Sequence, residues 1–384
     1  MTRPKVIHVT TTDMSLELLL GPQLHAFAEA GYEVVGASAP GPYSARLEAS
    51  GIRHVPLHHS TRSMALARDL RATAEMYQVF RRERPDIVHL HNPKPGWFGR
   101  PAAALARVPG IVNTVHGLYA TEDDPPAFRA LVYALERFAA TWSDVELVQN
   151  PEDVDQLRRL GVADRKLVTL GNGIDLDRFS PSRPDPAEVA RFRDEAGLQG
   201  DEVLVGAVGR LVWEKGLREV FEAARILRER CPRARFVVIG PLDPEKGDGL
   251  TAADLEQITA ELGVHFAGER LDMDVVYAAL DVYVLASHRE GFPRSAMEAA
   301  AMGTPVLATD IRGCRQVVDH GVDGLLFPVA DPAALADAVQ QVVEDDARRA
   351  AMATAAARRA LVEFDQQRVI DLTLDAYARV LASR

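Results

Sequence analysis

The chain has 384 residues, 47% hydrophobic and 26% charged, with a formal net charge of −11. That length exceeds one ordinary hydrophobic core and suits two domains, and the acidic balance argues against a nucleic-acid partner, which calls for a basic face. Two cysteines, Cys231 and Cys314, are too few for a disulfide scaffold or a cysteine-based zinc site and fit a reducing cytoplasm.

From the N-terminus, Met1-Thr2-Arg3-Pro4-Lys5 leads into a short apolar run, Val6–Val9, with no signal-peptide core behind it. No later window reaches membrane-spanning length. Strand-like runs follow at Val34–Ala37, Ile87–Leu90, Ile111–Val115 and Val145–Val148, with amphipathic stretches such as Leu16–Ala30 and Leu66–Arg82 between them. The pattern repeats at Val203–Val208, Phe236–Ile239, Val264–Phe266, Val282–Leu285, Val306–Ala308 and Leu325–Phe327, separated by helical stretches such as Leu217–Arg230 and Ala333–Val343. Alternation of this kind predicts two α/β domains, each a doubly wound parallel sheet. Between them, Phe179–Pro186 carries three prolines and reads as a linker. The predicted domains are residues 1–180 and 181–365.

Open parallel sheets bind ligands beyond the carboxyl ends of their strands, and the polar motifs fall there. Thr10-Thr11-Thr12-Asp13-Met14-Ser15 follows the first strand, and Thr12 or Ser15 suits a helix cap. His89 and His91 share one face of a strand, but no third metal ligand lies nearby in sequence. Lys94 follows them in a loop and is either a solvated lysine or an anion contact. His116 closes Thr114-Val115-His116-Gly117 at a strand end; the alternative is a satisfied structural histidine. After Val203–Val208, Arg210 and Lys215 flank a short loop and make a diphosphate clamp or, alternatively, surface ion pairs. Asp272 and Asp274 have the Asp-x-Asp spacing of a metal site, but a helix start at Val275 favours capping.

The richest segment is Arg289-Glu290-Gly291-Phe292-Pro293-Arg294-Ser295-Ala296-Met297-Glu298. It reads as strand end, tight loop and helix start, where unpaired N–H groups attract anions. Glu298 has small apolar neighbours, so it is expected to be buried, where a ribose diol could satisfy its carboxylate. Glu290 sits in the loop, Gly291 allows close backbone approach, and Arg294 is either a ligand contact or solvent-facing.

This segment resembles the E-x7-E signature of the retaining family 4 glycosyltransferases. With Ala308–Asp310 and Gly313–Arg315, it is most similar to the branch that adds sugars to polyprenyl-diphosphate-linked intermediates. The resemblance implies the GT-B fold, two Rossmann-like domains facing a central cleft, with the C-terminal helix (about 366–384) returning to the first domain. It implies that Arg210 and Lys215 hold the donor diphosphate and that Glu290 serves the donor sugar. The Gly291-Phe292-Pro293-Arg294 loop and Glu298 would hold the nucleotide sugar, and Arg270 would lie near the base. His116 would bind sugar oxygens, and Lys94, Thr12 and Ser15 would line the acceptor side. Many relatives carry paired glycines in the first loop; their absence here puts the acceptor pocket's shape in question. No cofactor or essential metal is implied.

The implied reaction is transfer of a hexose or N-acetylhexosamine from a UDP-sugar to a lipid-linked saccharide at the cytoplasmic face of the membrane. The rivals are a soluble small-molecule acceptor, a UDP-sugar 2-epimerase of the same fold, and a silent nucleotide-sugar binder. Arg62–Arg84 places Leu66, Leu70, Tyr77 and Phe80 at helical spacing among arginines. It reads as a sheet-packing helix or as a peripheral membrane contact. Tyr119–Trp142 is likewise core or lipid cover.

Overall fold

A computed structural model describes residues 3–61, 65–91, 93–121, 124–243 and 247–383. The chain forms two compact units. The first comprises Met1–Gly171 with Gln367–Arg384; the second is Asn172–Gln366.

Among the described residues, the first unit holds one parallel sheet ordered β3-β2-β1-β4-β5-β6-β7. Its strands are β1 Lys5–Thr12, β2 Glu33–Ala39, β3 Arg53–Pro56, β4 Ile87–His91, β5 Gly110–Val115, β6 Val145–Val148 and β7 Leu167–Thr169. Strand order reverses between β1 and β4. Period-two alternation splits the core. Val6, Ile87 and Val112 face one cluster, with Leu24 and Phe27 of the Gly21–Glu29 helix and Tyr377 and Val380 of the C-terminal Gln366–Ala382 helix. Ile7, Val88, Leu90 and Ile111 face the other, with Met76, Val79 and Phe80 of the Leu66–Glu83 helix.

The second unit repeats the plan as β10-β9-β8-β11-β12-β13. Here β8 is Val203–Val208, β9 Ala234–Ile239, β10 His265–Gly268, β11 Val282–Leu285, β12 Val306–Thr309 and β13 Gly324–Phe327. The reversal lies between β8 and β11. These are two doubly wound α/β units of Rossmann type.

Several expectations shift. The stretch Leu16–Ala30 is not one helix: a π-helical turn, Ser15–Leu19, gives way to Gly21–Glu29, because Pro22 opens the second helix and cannot donate within the first. Strands β3 and β7 were not anticipated. Both are sheet edges and short: β3 is Arg53-His54-Val55-Pro56, half polar, and β7 is only Leu167-Val168-Thr169. The units divide at Gly171/Asn172, upstream of the expected 180/181. Ile174 and Phe179 explain this: both are buried in the second unit's core, and Ile174 bridges Asp365. The C-terminal helix buries Val369, Ile370, Ala376, Tyr377 and Val380 in the first unit.

Candidate active site

In the second unit, two loops leave the sheet where its order reverses. The loop after β8 ends in a tight turn, Trp213–Lys215, and then Gly216 at φ 72°. A Cβ at Gly216 would stand 1.9 Å from the Ala286 carbonyl oxygen just beyond β11, so only glycine lets the two loops touch. The His288 amide donates to the Glu214 carbonyl at 3.0 Å and fastens them further. As a result the Lys215 ammonium donates to Glu290 Oε1 at 2.6 Å. Gly313 supports the same loop from behind: a Cβ there would meet the Glu290 carbonyl at 2.5 Å. Arg210 donates to Asp243 at 2.5 Å. Both expected diphosphate cations therefore stand at the switch point, each already holding a carboxylate.

The Arg294–Ala301 helix starts directly after Pro293. The Tyr277 hydroxyl donates to Glu298 Oε2 at 3.1 Å, and Arg294 lies 3.9 Å from Oε1, one turn back. Burial pushes the Glu298 carboxyl above its ordinary range, opposed by Arg294 and by the Tyr277 bond. The Phe292 carbonyl accepts from Asn172 at 3.1 Å, and its ring meets Phe364 edge-on. Arg270 chelates Asp272 at 2.6 and 2.9 Å and reaches Glu195 at 3.3 Å. Asp272 stands at the helix N-cap without a capping bond, because its carboxylate is committed to Arg270. The capping expectation for its side chain is thus corrected.

In the first unit, a cavity of about 320 Å³ opens where β1 and β4 part. Thr10, Thr12, Ser15, His91, Lys94 and His116 line it. The Thr12 and Ser15 hydroxyls bond each other at 3.3 Å, and neither caps the helical turn. Lys94 donates to the Thr61 carbonyl at 2.8 Å and pairs with buried Asp69. His116 Nε2 lies 2.9 Å from His91 Nδ1. Desolvation pulls the His116 imidazole down to about 4, opposed by its bond to Gln149.

Sequence spacing offered no third partner for His89 and His91; the fold supplies one. His8 sits opposite His89 in the sheet register, and ligand atoms of the three lie within 4.8 Å. The donor set nevertheless suits a hydrogen-bond array. His89 and His91 stack at 4.4 Å and 23°, so their lone pairs do not converge. Both nitrogens of His89 face hydroxyls, those of Tyr377 and Thr114. A polar residue inside the apolar run Val6-Ile7-His8-Val9 was the available signal. Also unforeseen is a buried cluster on the opposite face, where Arg100 donates to Glu136 at 2.5 Å and Glu146 at 2.6 Å.

The chain matches the family model for glycosyl transferases group 1 over residues 188–359 and that for glycosyltransferase family 4 over residues 23–178. A UDP-Gal:α-D-GlcNAc-diphosphoundecaprenol α-1,3-galactosyltransferase of Escherichia coli is 32% identical over 290 residues, 74% of this chain and 73% of its own. The chain belongs to the family 4 glycosyltransferases. The putative glycosyltransferase EpsD of Bacillus subtilis aligns with this glycosyltransferase over 97% of the chain and 96% of its own length at 28% identity. A D-inositol 3-phosphate glycosyltransferase of Xylanimonas cellulosilytica is 33% identical over 78% of the chain and 73% of its own. HepE of Anabaena, solved with UDP and glucose, superposes with a TM-score of 0.81 at 21% identity, over 98% of this chain and 100% of that one. The fold of this glycosyltransferase is GT-B. Membership of this family makes the chain a glycosyltransferase and removes the epimerase alternative.

Proposed function

We propose that the enzyme transfers a hexose or N-acetylhexosamine, with retention, from a UDP-sugar to a polyprenyl-diphosphate-linked saccharide in surface-glycan synthesis. The observation that carries the donor half is the grouping of Arg210, Lys215, Glu290 and Glu298 around one strand crossover. As the diphosphate arrives, Lys215 and Arg210 exchange carboxylates for phosphate oxygens. Their charge then stabilises the departing UDP, which is where most of the rate gain in such a reaction arises. Glu290, released from Lys215, takes sugar hydroxyls. Glu298 receives two donors from the ribose diol, which offsets the cost of its burial. These cations do the work a divalent metal does elsewhere, so activity survives chelation.

His116 serves the sugar being transferred, and Lys94, Thr12 and Ser15 serve the acceptor. Relatives named for diphosphoundecaprenol-linked acceptors, from Escherichia coli and Campylobacter jejuni, support the lipid-linked class. The relatives named for D-inositol 3-phosphate support the second reading, a soluble acceptor. We place the enzyme in the cytoplasm, in peripheral contact with the membrane. No helix among the described residues is long and apolar enough to cross one.

The test is a transfer assay with a panel of UDP-, GDP- and ADP-sugars, with and without EDTA. The acceptors are undecaprenyl-diphosphate-N-acetylglucosamine and inositol phosphate. Transfer to the lipid from a UDP-sugar, insensitive to EDTA, supports the proposal. Transfer only to inositol phosphate, or only with added metal, overturns the corresponding half.

A further inference from the structure

A continuous line of buried side chains runs from the first unit's cavity to the C-terminal helix. His116 Nε2 meets His91 Nδ1 at 2.9 Å, and His91 Nε2 meets His8 Nδ1 at 3.2 Å. His8 Nε2 meets the Tyr377 hydroxyl at 3.1 Å. That hydroxyl meets His89 Nδ1 at 2.5 Å, and His89 Nε2 meets the Thr114 hydroxyl at 2.7 Å. Sheet register builds the line. His8 lies opposite His89, and His91 opposite Thr114, so these side chains share the face that the Gln366–Ala382 helix covers. His8, His89, His91, Thr114 and Tyr377 are all buried, so water does not stand in for a missing partner.

Proton counting makes the line a single device. A neutral imidazole has one N–H and one lone pair, and each link between two nitrogens, or between a nitrogen and a hydroxyl, holds one proton. If His91 donates from Nδ1 to His116, its Nε2 must accept from His8 Nδ1. His8 Nε2 must then accept from the Tyr377 hydroxyl. The Tyr377 oxygen must accept from His89 Nδ1, and His89 Nε2 from Thr114. Reversing His116 reverses every link. A ring turned out of step leaves a buried polar group unpaired, which costs far more than an exposed bond is worth. Charging a ring instead is opposed by burial, which pulls His8 down to about 3.

We propose that Tyr377, on the C-terminal helix, is a positioning residue that acts through His8 and His91 to hold His116 in one tautomer at the cavity. The tautomer of a histidine is set by the bonds its two nitrogens make; His116 is held by Gln149 and, at Nε2, by His91, which is the end of a relay anchored by the last helix of the chain. The consequence for turnover rests on the role given to His116 above.

The experiment is ¹⁵N spectroscopy of the full-length protein with labelled histidine, His116 being assigned through His116→Gln. The native protein is expected to show His116 as one tautomer at neutral pH. Tyr377→Phe keeps the ring but deletes the hydroxyl; it is expected to mix the His116 tautomers. It should also lower kcat by roughly tenfold to a hundredfold, with KM for the UDP-sugar within about twofold. Thr114→Ser, which keeps a hydroxyl, should leave both readouts near native, and Thr114→Val should mix the tautomers. A native His116 that is already a mixture, or a folded Tyr377→Phe with an unchanged spectrum, overturns the proposal. Should Tyr377→Phe not fold, the native spectrum and the Thr114 pair decide. A changed spectrum with unchanged kcat upholds the relay and removes His116 from the transfer step.

Discussion

Lys215 and Glu290 share a bond of 2.6 Å between the loops that leave β8 and β11, so the cation expected on the diphosphate and the carboxylate expected on the sugar are partners before any donor arrives. Under the proposed function, donor binding is an exchange of partners in which Lys215 moves from carboxylate to phosphate and frees Glu290 for hydroxyls. Lys215→Ala is expected to lower kcat/KM about a hundredfold to a thousandfold, the scale for removing one preorganised charge from a developing anion. Glu290→Gln keeps the shape and is expected to lower kcat by about a hundredfold while UDP still binds. Steady-state kinetics with the preferred UDP-sugar, beside UDP titration, separates the two. Full transfer by Glu290→Gln would remove that residue from the reaction.

Glu298 gives a prediction in which stability and binding move in opposite directions. Burial raises its carboxyl above the ordinary 4.5. The folded state thus holds this proton more tightly than the unfolded chain. The group's contribution is fully present below the unfolded value and is lost as pH rises through the folded value. Ligand-free Glu298→Gln should therefore melt above the native protein at pH 8 and lose that advantage toward pH 4. The same variant should lose most of its stabilisation by UDP, which at a hundredfold over Kd amounts to about 2.7 kcal/mol in the native protein. Thermal melts across pH, with and without UDP, read both. Unaltered UDP stabilisation would rule out ribose binding by Glu298.

Arg100 lies fully buried between Glu136 and Glu146. Trp97 Nε1 donates to Glu136 at 2.7 Å, Asn113 donates to Glu146 at 2.7 Å, and Ser143 also donates to Glu146. Removing the cation leaves two carboxylates in the core with only neutral donors. Arg100→Met is expected to destabilise the first unit by about 3–5 kcal/mol, read as a lower midpoint in calorimetry. A loss below about 1 kcal/mol would mean that the neutral donors suffice.

The membrane reading now rests on exposed apolar side chains of the first unit. Leu66, Leu70 and Tyr77 are 75%, 60% and 39% exposed, while Met76, Val79 and Phe80 of the same helix are buried. So the Leu66–Glu83 helix packs on the sheet and also shows an apolar outer stripe; Arg62 lies outside the described residues. Leu131 and Phe138 stand two turns apart on the Pro126–Ala140 helix, both exposed, with Trp142 beyond. Co-sedimentation with anionic vesicles should fall at least about tenfold in Leu131→Ser/Phe138→Ser, since burying each side chain contributes about 1.5–3 kcal/mol. Equal binding by variant and native protein would exclude this helix as the contact.

The parallel α/β plan, the six strands of the second unit and the positions of Glu290, Glu298, Arg210, Lys215 and His116 were legible in the sequence. Each depends on short-range pattern: apolar runs that only a doubly covered sheet can bury, and polar residues placed where such runs end. Tertiary structure decided what those residues touch. The pairing of Lys215 with Glu290 depends on Gly216 admitting the Ala286 carbonyl 70 residues further along the chain. The commitment of Lys94 to Asp69 depends on a neighbour on another element that no spacing rule specifies. The unit boundary moved because Ile174 and Phe179 had a core to enter, which a proline-rich reading cannot detect. The histidine relay is the extreme case, since Tyr377 and His8 lie 369 positions apart. Periodicity assigns each side chain a face of its own strand or helix; only register and the return of the last helix bring those faces to hydrogen-bond distance.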